Sequence, residues 1–297
     1  MSRRNVLLGG VSLVTLTACS PQTVLADPAQ PLPPVEQRID ALGRRHSAQI
    51  GLYAIDLGSE TSLAYRDTES FAMCSTFKAY AAGATLQRAQ QGRLTLNDAV
   101  AIEPGDIRPN SPVTEPRVGT TMTLAELCQA ALQQSDNAAA NGLLRVLGGP
   151  PAITEFARSI GDDRTRLDRW ETELNSAVPG DPRDTSTPRA LGDGFRALLT
   201  GDVLDGGRQR QLVDWMLGNQ TSSMRAGLPA GYTSADKTGS GDYGTTNDVG
   251  VVYGPAGQRL LLAIMTKSAT DDPDAPSLRP LIGELAALVL AELDQPQ

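Results

Sequence analysis

Ser75 and Lys78 stand three residues apart in the run Cys74-Ser75-Thr76-Phe77-Lys78. At the start of a helix that spacing puts hydroxyl and amine on one face, about one turn apart. A serine hydroxyl is a poor nucleophile until a neighbour takes its proton. A lysine in a dry site can lose its charge and act as that neighbour, or hold the proton network together. The helix N-terminus adds positive potential and free N–H groups that suit an oxyanion. The same four-residue pattern also occurs on ordinary helix surfaces, so the pair needs company before it means chemistry.

Composition narrows what that chemistry can be. The chain has 297 residues, a formal net charge of −8 and a single histidine, His46. A Ser-His-Asp hydrolase needs a histidine base, and a zinc hydrolase usually needs two or three imidazole ligands. His46 lies in Arg44-Arg45-His46-Ser47, which reads as a solvated helix end. Hydrolysis must therefore run on hydroxyls, carboxylates and lysines, with no metal or organic cofactor implied. The acidic balance argues against nucleic acid, which needs clustered Lys and Arg. It leaves room for an anionic small molecule in a locally positive cleft. Cys74 and Cys128 read as unpaired, small, buried hydrophobes. Cys74 abuts the candidate nucleophile, and Cys128 lies inside an apolar helical pattern.

The elements that must position these residues fall in three blocks. Residues 35–45 have a helical pattern, and 50–57 with 62–65 read as a hairpin around Gly58-Ser59. At the other end, strand-like runs at 247–253 and 259–265 flank the turn Gly254-Pro255-Ala256-Gly257, and an apolar helix covers about 278–293. Between them, helices are predicted at 75–91, from the capping box Thr123-Leu124-Ala125-Glu126 to about 134, and at 137–147, 150–159, 187–200 and 206–218. Strands at both ends and helices between predict an α+β fold. One antiparallel sheet is built from both chain ends and flanked by helices, an all-helical domain is inserted, and a cleft forms at the join. The sheet domain is expected to comprise 35–66 and 217–297, and the helical domain 67–216.

The N-terminus reads as an address. Arg3 and Arg4 precede the apolar run Val6 to Leu16, too short to span a bilayer, so 1–19 reads as an export signal. Ser2-Arg3-Arg4 resembles a twin-arginine signal. Leu16-Thr17-Ala18-Cys19 resembles a lipobox, which implies a lipid anchor at Cys19; cleavage after Ala26 would instead release a free protein. Residues 20–34, rich in Pro, Gln and Ala, read as a tether. An exported monomer is expected, with no protein partner required.

Two further motifs give Ser75 its company. Ser135-Asp136-Asn137 stands at the break between two predicted helices, and Lys237-Thr238-Gly239 lies on a strand opening into a glycine-rich turn. This set, in this order, resembles the serine β-lactamases and penicillin-binding proteins. Arg169-Trp170-Glu171-Thr172-Glu173-Leu174-Asn175, followed by Asp181-Pro182-Arg183-Asp184-Thr185, resembles the Ω-loop of the class A β-lactamases. The resemblance, to an actinobacterial-like class A enzyme, runs from Phe71 to the last helix.

The resemblance implies hydrolysis of a β-lactam amide through an acyl-enzyme on Ser75, and hence β-lactam resistance. Lys78, Ser135 and Glu171 would be the other catalytic groups. Ser135 would protonate the leaving nitrogen, and Glu171 with Asn175 would hold the deacylating water. Whether Lys78 or Glu171 takes the proton in acylation stays open. Asn137 would bind the acylamide side chain; Lys237, Thr238 and Ser240, carried with Gly239, would bind the substrate carboxylate. Backbone N–H groups of Ser75 and Ser240 would form the oxyanion hole, and Arg169 would pair with Asp184. Three positions depart from the pattern. Thr246 stands where many members have an arginine, leaving Arg279 or Arg225 as the second cation. Asn110 replaces a cleft-mouth aromatic, and Gly241 denies Cys74 the partner cysteine seen in some relatives. The alternatives are a DD-peptidase or a penicillin-binding or sensing protein that deacylates slowly.

Overall fold

The structure is a computed structural model and describes Met1 and residues 32–294. The export signal, the anchor at Cys19 and nearly all of the expected tether lie outside the described residues.

Both chain ends supply one five-stranded antiparallel sheet. Its order is β2 (Ser62–Tyr65), β1 (Ala48–Asp56), β9 (Arg259–Ser268), β8 (Thr246–Tyr253), β7 (Thr233–Ser240). Alternation along each strand splits the core into two layers. Ile50, Leu52 and Ala54 of β1, with Leu260, Leu262 and Ile264 of β9, pack against α1 (Val35–His46) and α8 (Arg279–Leu293). Tyr53 and Ile55, with Leu261, Ala263 and Met265, face the other way into the larger core. That core is shared with helices α2 (Phe77–Gln90), α3 (Leu124–Gln133), α4 (Asn137–Leu147), α5 (Pro151–Ser159), α6 (Pro188–Leu199) and α7 (Gly206–Leu217).

Local chemistry fixes where the middle helices start. Thr123 Oγ1 accepts from Glu126 N at 3.2 Å while Glu126 Oε2 accepts from Thr123 N at 2.7 Å, a reciprocal cap that opens α3. Asp136 caps α4 through Ala139 N, and Thr187 with Pro188 opens α6. Helix α6 lies inside the segment expected to be the helical domain, yet it packs on the sheet. A Cβ on Gly192 would stand 2.9 Å from the Tyr53 ring and 3.2 Å from Ala263.

Four short strands, β3 (Phe71–Ala72), β4 (Ala99–Ala101), β5 (Thr121–Thr123) and β6 (Thr185–Ser186), escape the sequence reading because two or three residues carry no alternation. They pair β3 with β6 and β4 with β5. His46, read as solvated, is instead half-buried, its ring 3.0 Å from Glu284 of α8. The i+238 partner was beyond any local pattern. Cys74 and Cys128 are both buried and free.

Candidate functional site

Ser75 sits in a single 3-10 turn, Cys74–Thr76, that leads directly into α2. Cys74 holds a left-handed backbone, φ 47°, just before it. Such a conformation costs a non-glycine residue of order 1–3 kcal/mol and persists only where the surroundings enforce it. Here they do. Asn247 of β8 donates to the carbonyls of Ala72 and Met73 at 2.9 and 3.2 Å. Strand β7 also presses on the turn: a Cβ on Gly239 would stand 2.5 Å from the Met73 carbonyl oxygen. That close approach requires glycine at the third position of Lys237-Thr238-Gly239. Gly241 is constrained likewise, since its Cβ would meet Asn175 O at 2.5 Å and Cys74 Sγ at 2.8 Å.

One turn along, Lys78 is wholly buried. Its Nζ donates to Ser135 O at 2.8 Å and Asn137 Oδ1 at 2.6 Å, and lies 3.0 Å from Glu171 Oε1. Those three nearest acceptors match the three protons of an ammonium, and the Ser135 hydroxyl lies further off at 3.3 Å. Burial lowers the Lys78 pKa, and the Glu171 charge opposes that fall. Burial, with the nearby carboxylates, pushes the Cys74 thiol far up, so it stays protonated beside the serine.

Glu171 is 2% exposed and arrives on the long connection between α5 and α6. Its Oε1 accepts from Ser75 Oγ at 3.0 Å and its Oε2 from Asn175 Nδ2 at 2.6 Å. Asn141 of α4 holds its backbone from both sides, donating to Glu171 O at 2.8 Å and accepting from Glu171 N at 3.0 Å. Asn141 lies four residues after Asn137, so both face the same way from the helix. The sequence reading missed it, although that spacing was a usable signal.

The base of the connection is tied by Asp184. Its carboxylate takes Arg169 Nε at 2.5 Å and the N–H groups of Asp168 and Arg169 at 2.7 and 3.0 Å. Its carbonyl accepts from Met73 N at 2.9 Å, which fastens the same residue to the strand before the nucleophile.

Ser135 also has a left-handed backbone, φ 54°. The turn around it is anchored by Asp136, which accepts from Val113 N, Thr114 N and Thr114 Oγ1 at 2.8–3.0 Å. Lys237 reaches the same hydroxyl from β7, with Nζ 3.1 Å from Ser135 Oγ and 2.9 Å from Thr238 O. Burial and the neighbouring Lys78 charge lower its pKa to about 7.

Beneath Lys237 lies a second pair. Asp236 and Asp248 are both fully buried, and burial with mutual repulsion raises the Asp248 carboxyl well above its ordinary range.

The end of the cleft beyond Lys237 is made by Thr238 and Ser240, the latter exposed. Thr221, which carried no sequence signal, shares a 2.6 Å hydroxyl contact with Thr238. Arg279 is exposed and donates to Thr221 O at 3.1 Å. Arg225 cannot be the second cation. Its guanidinium is committed to Asn219 O, Leu217 O, and Ser234 Oγ and O at 2.6–3.0 Å, and faces Asp236 at 3.5 Å. Ser75, Lys78, Ser135, Asn137, Glu171, Asn175 and Lys237 thus form one hydrogen-bonded network. Arg279 stands three contacts away from Lys237, through Thr238 and Thr221.

Comparison with known proteins follows the same lines. The sequence profile of the β-lactamase enzyme family matches residues 34–293. A β-lactamase of Streptomyces fradiae is 44% identical over 301 residues, spanning 98% of this chain and 96% of that protein. The β-lactamase FAR-1 of Nocardia farcinica is 44% identical over 255 residues, 85% of this chain and 81% of its own. Among solved structures, the class A β-lactamase of the last common ancestor of Gram-negative bacteria superposes with a TM-score of 0.83 at 47% identity, covering 87% of this chain and 98% of that one.

Proposed function

The chain belongs to the β-lactamase enzyme family, class A, and on that premise we propose the route by which it hydrolyses the β-lactam amide of an antibiotic and so confers resistance. Ser75 Oγ attacks the lactam carbonyl while its proton passes to Glu171. Backbone N–H groups of Ser75 and Ser240 hold the developing oxyanion. As the C–N bond breaks, Ser135 gives its proton to the nitrogen and is resupplied by Lys78, which recovers a proton from Glu171. In the second half, Glu171 takes a proton from a water oriented by Asn175, that water opens the ester on Ser75, and Glu171 returns the proton to the departing Ser75 Oγ. Asn137 binds the acylamide side chain. Lys237, Thr238 and Ser240 hold the substrate carboxylate, with Gly239 keeping the strand close and Arg279 as the second cation.

The observation that carries this reading is Glu171. One buried carboxylate lies 3.0 Å from the Ser75 hydroxyl, 3.0 Å from Lys78 Nζ and 2.6 Å from the Asn175 amide. Asn175 Oδ1 is buried and accepts nothing from the described residues, which suits it to take an O–H from the attacking water. Lys78 already meets three acceptors, which supports Glu171 rather than Lys78 as the first proton acceptor. A chromogenic cephalosporin tests the whole. Steady turnover is expected; a single stoichiometric burst would identify a slowly deacylating penicillin-binding protein instead.

The chain is further proposed to be an exported monomer. Arg3, Arg4 and the apolar run after them support export, and no helix among the described residues is long and apolar enough to cross a membrane. Lipidation of Cys19 is expected to appear as a diacylglyceryl mass on the mature N-terminus; a start after Ala26 would exclude it.

A further inference from the structure

Asn110 stands on the connection between β4 and β5 with a left-handed backbone, φ 58°. Its carbonyl accepts from Asn137 N at 3.0 Å. Its side-chain amide donates to Ser135 O at 3.1 Å, the same carbonyl oxygen that takes Lys78 Nζ at 2.8 Å. The residue before it does the matching job on the other side: Pro109 O accepts from Asn137 Nδ2 at 2.7 Å, which turns Asn137 Oδ1 towards Lys78. Two adjacent residues of one loop therefore hold two of the three acceptors of the buried ammonium.

We propose that Asn110 is a positioning residue, whose amide orients and shares the Ser135 carbonyl and so sets how firmly Lys78 keeps its proton. A carbonyl has two lone pairs, and two donors on one oxygen compete for its electron density. With the Asn110 amide removed, Ser135 O becomes a better acceptor for Lys78 alone. The ammonium is then held more tightly, and the return of its proton to Ser135 becomes slower. The other titratable groups facing Lys78 are Glu171 from the α5–α6 connection, Asp136 from the turn before α4, Cys74 from the 3-10 turn and, through the shared Ser135 hydroxyl, Lys237 from β7. None of them touches Asn110, whose amide otherwise makes only a long contact, 3.5 Å, with Gln134 O.

The inference rests on the proposed reaction for its kinetic half, but its titration half is read on the resting protein. The chain has three lysines, Lys78, Lys237 and Lys267, so their ε-carbons labelled with 13C give three resolvable NMR signals. Asn110→Gly removes the amide and keeps the left-handed backbone without strain. Lys78 is expected to titrate about half a pH unit higher in this variant, a fraction of one hydrogen bond. With a slowly acylated cephalosporin, kcat should fall about threefold to tenfold at unchanged KM. Asn110→Leu, of similar size but without the donor or any charge, should move Lys78 in the same direction, whereas a role in filling space would leave it as wild type. A Lys78 titration unchanged in both variants overturns the proposal, and so does an effect confined to KM, which would make Asn110 a substrate contact. If the wild-type protein fails to turn over any β-lactam, the reaction reading fails while the Lys78 shift still decides this one.

Discussion

Lys78 and Lys237 enter the cleft from opposite sides, one from helix α2 and one from strand β7, and meet at the Ser135 hydroxyl at 3.3 and 3.1 Å. Both are fully buried. Their surroundings differ in the supply of acceptors. Lys78 has, besides the shared hydroxyl, two oxygens and a carboxylate around one ammonium. Lys237 has a backbone carbonyl and the shared hydroxyl, and makes no ion pair among the described residues. Burial lowers the pKa of each, but Glu171 opposes the fall at Lys78, whereas at Lys237 the charge of Lys78 deepens it. Burial alone therefore does not assign a lysine its role. An ammonium whose charge is already answered can move protons within a network. One left short of an acceptor is ready for an anion from outside.

The sharpest way to break the Lys78 half is to remove its carboxylate. Glu171→Ala should slow deacylation about 10³-fold and leave an acyl adduct on Ser75, visible by mass spectrometry after brief exposure to penicillin. Undiminished penicillin turnover would sink the water role of Glu171. Next comes the anchor that presents it. Asp184 is fully buried and accepts three hydrogen bonds besides tying Met73. Asp184→Asn leaves Arg169 with only the longer pair to Asp181, 3.6 Å, and should cost about 3 kcal/mol in urea unfolding. An unchanged midpoint would show that the connection is held by something else. On the other side of the cleft, Lys237→Ala should reduce kcat/KM by about 10²-fold, chiefly through KM, with Lys237→Arg recovering most of it. A loss carried by kcat alone would place Lys237 in the proton network and erase the distinction between the two lysines.

The sequence was most legible where chemistry and periodicity coincide. Strands at both ends and capped helices between them announced the sheet and the inserted helices, since alternation and caps are local signals. Three motifs and the Glu171 segment named residues that the fold gathers within hydrogen-bond distance. What stayed hidden depends on approach in three dimensions. Asn141 clasps the Glu171 backbone across thirty residues of chain, and Thr221 meets Thr238 by loop geometry. Arg225 read as a free cation because nothing local shows that carbonyls of three different residues converge on it. Asn110 read as the loss of an aromatic; its gain, a donor aimed at Ser135 O, appears only once the two loops are side by side.

The smallest effect is also the most direct measure of the contrast. Lys237 titrates at about 7 in the resting protein, lowered by burial and by Lys78. A ligand carboxylate bound to it favours the ammonium and raises that pKa. At pH 8 the free protein therefore carries mostly neutral Lys237, the complex carries the charged form, and binding must draw in a proton. Below about pH 6 the ammonium is already formed and uptake should vanish. Calorimetry of a slow acylating inhibitor bearing a carboxylate, run on Ser75→Ala in buffers of different ionisation enthalpy, should give close to one proton taken up at pH 8 and close to none at pH 6. The same titration on Ser75→Ala carrying Lys237→Arg should show no uptake at either pH, because arginine does not titrate there. Equal uptake in both proteins would mean that another group, not Lys237, answers the ligand's charge.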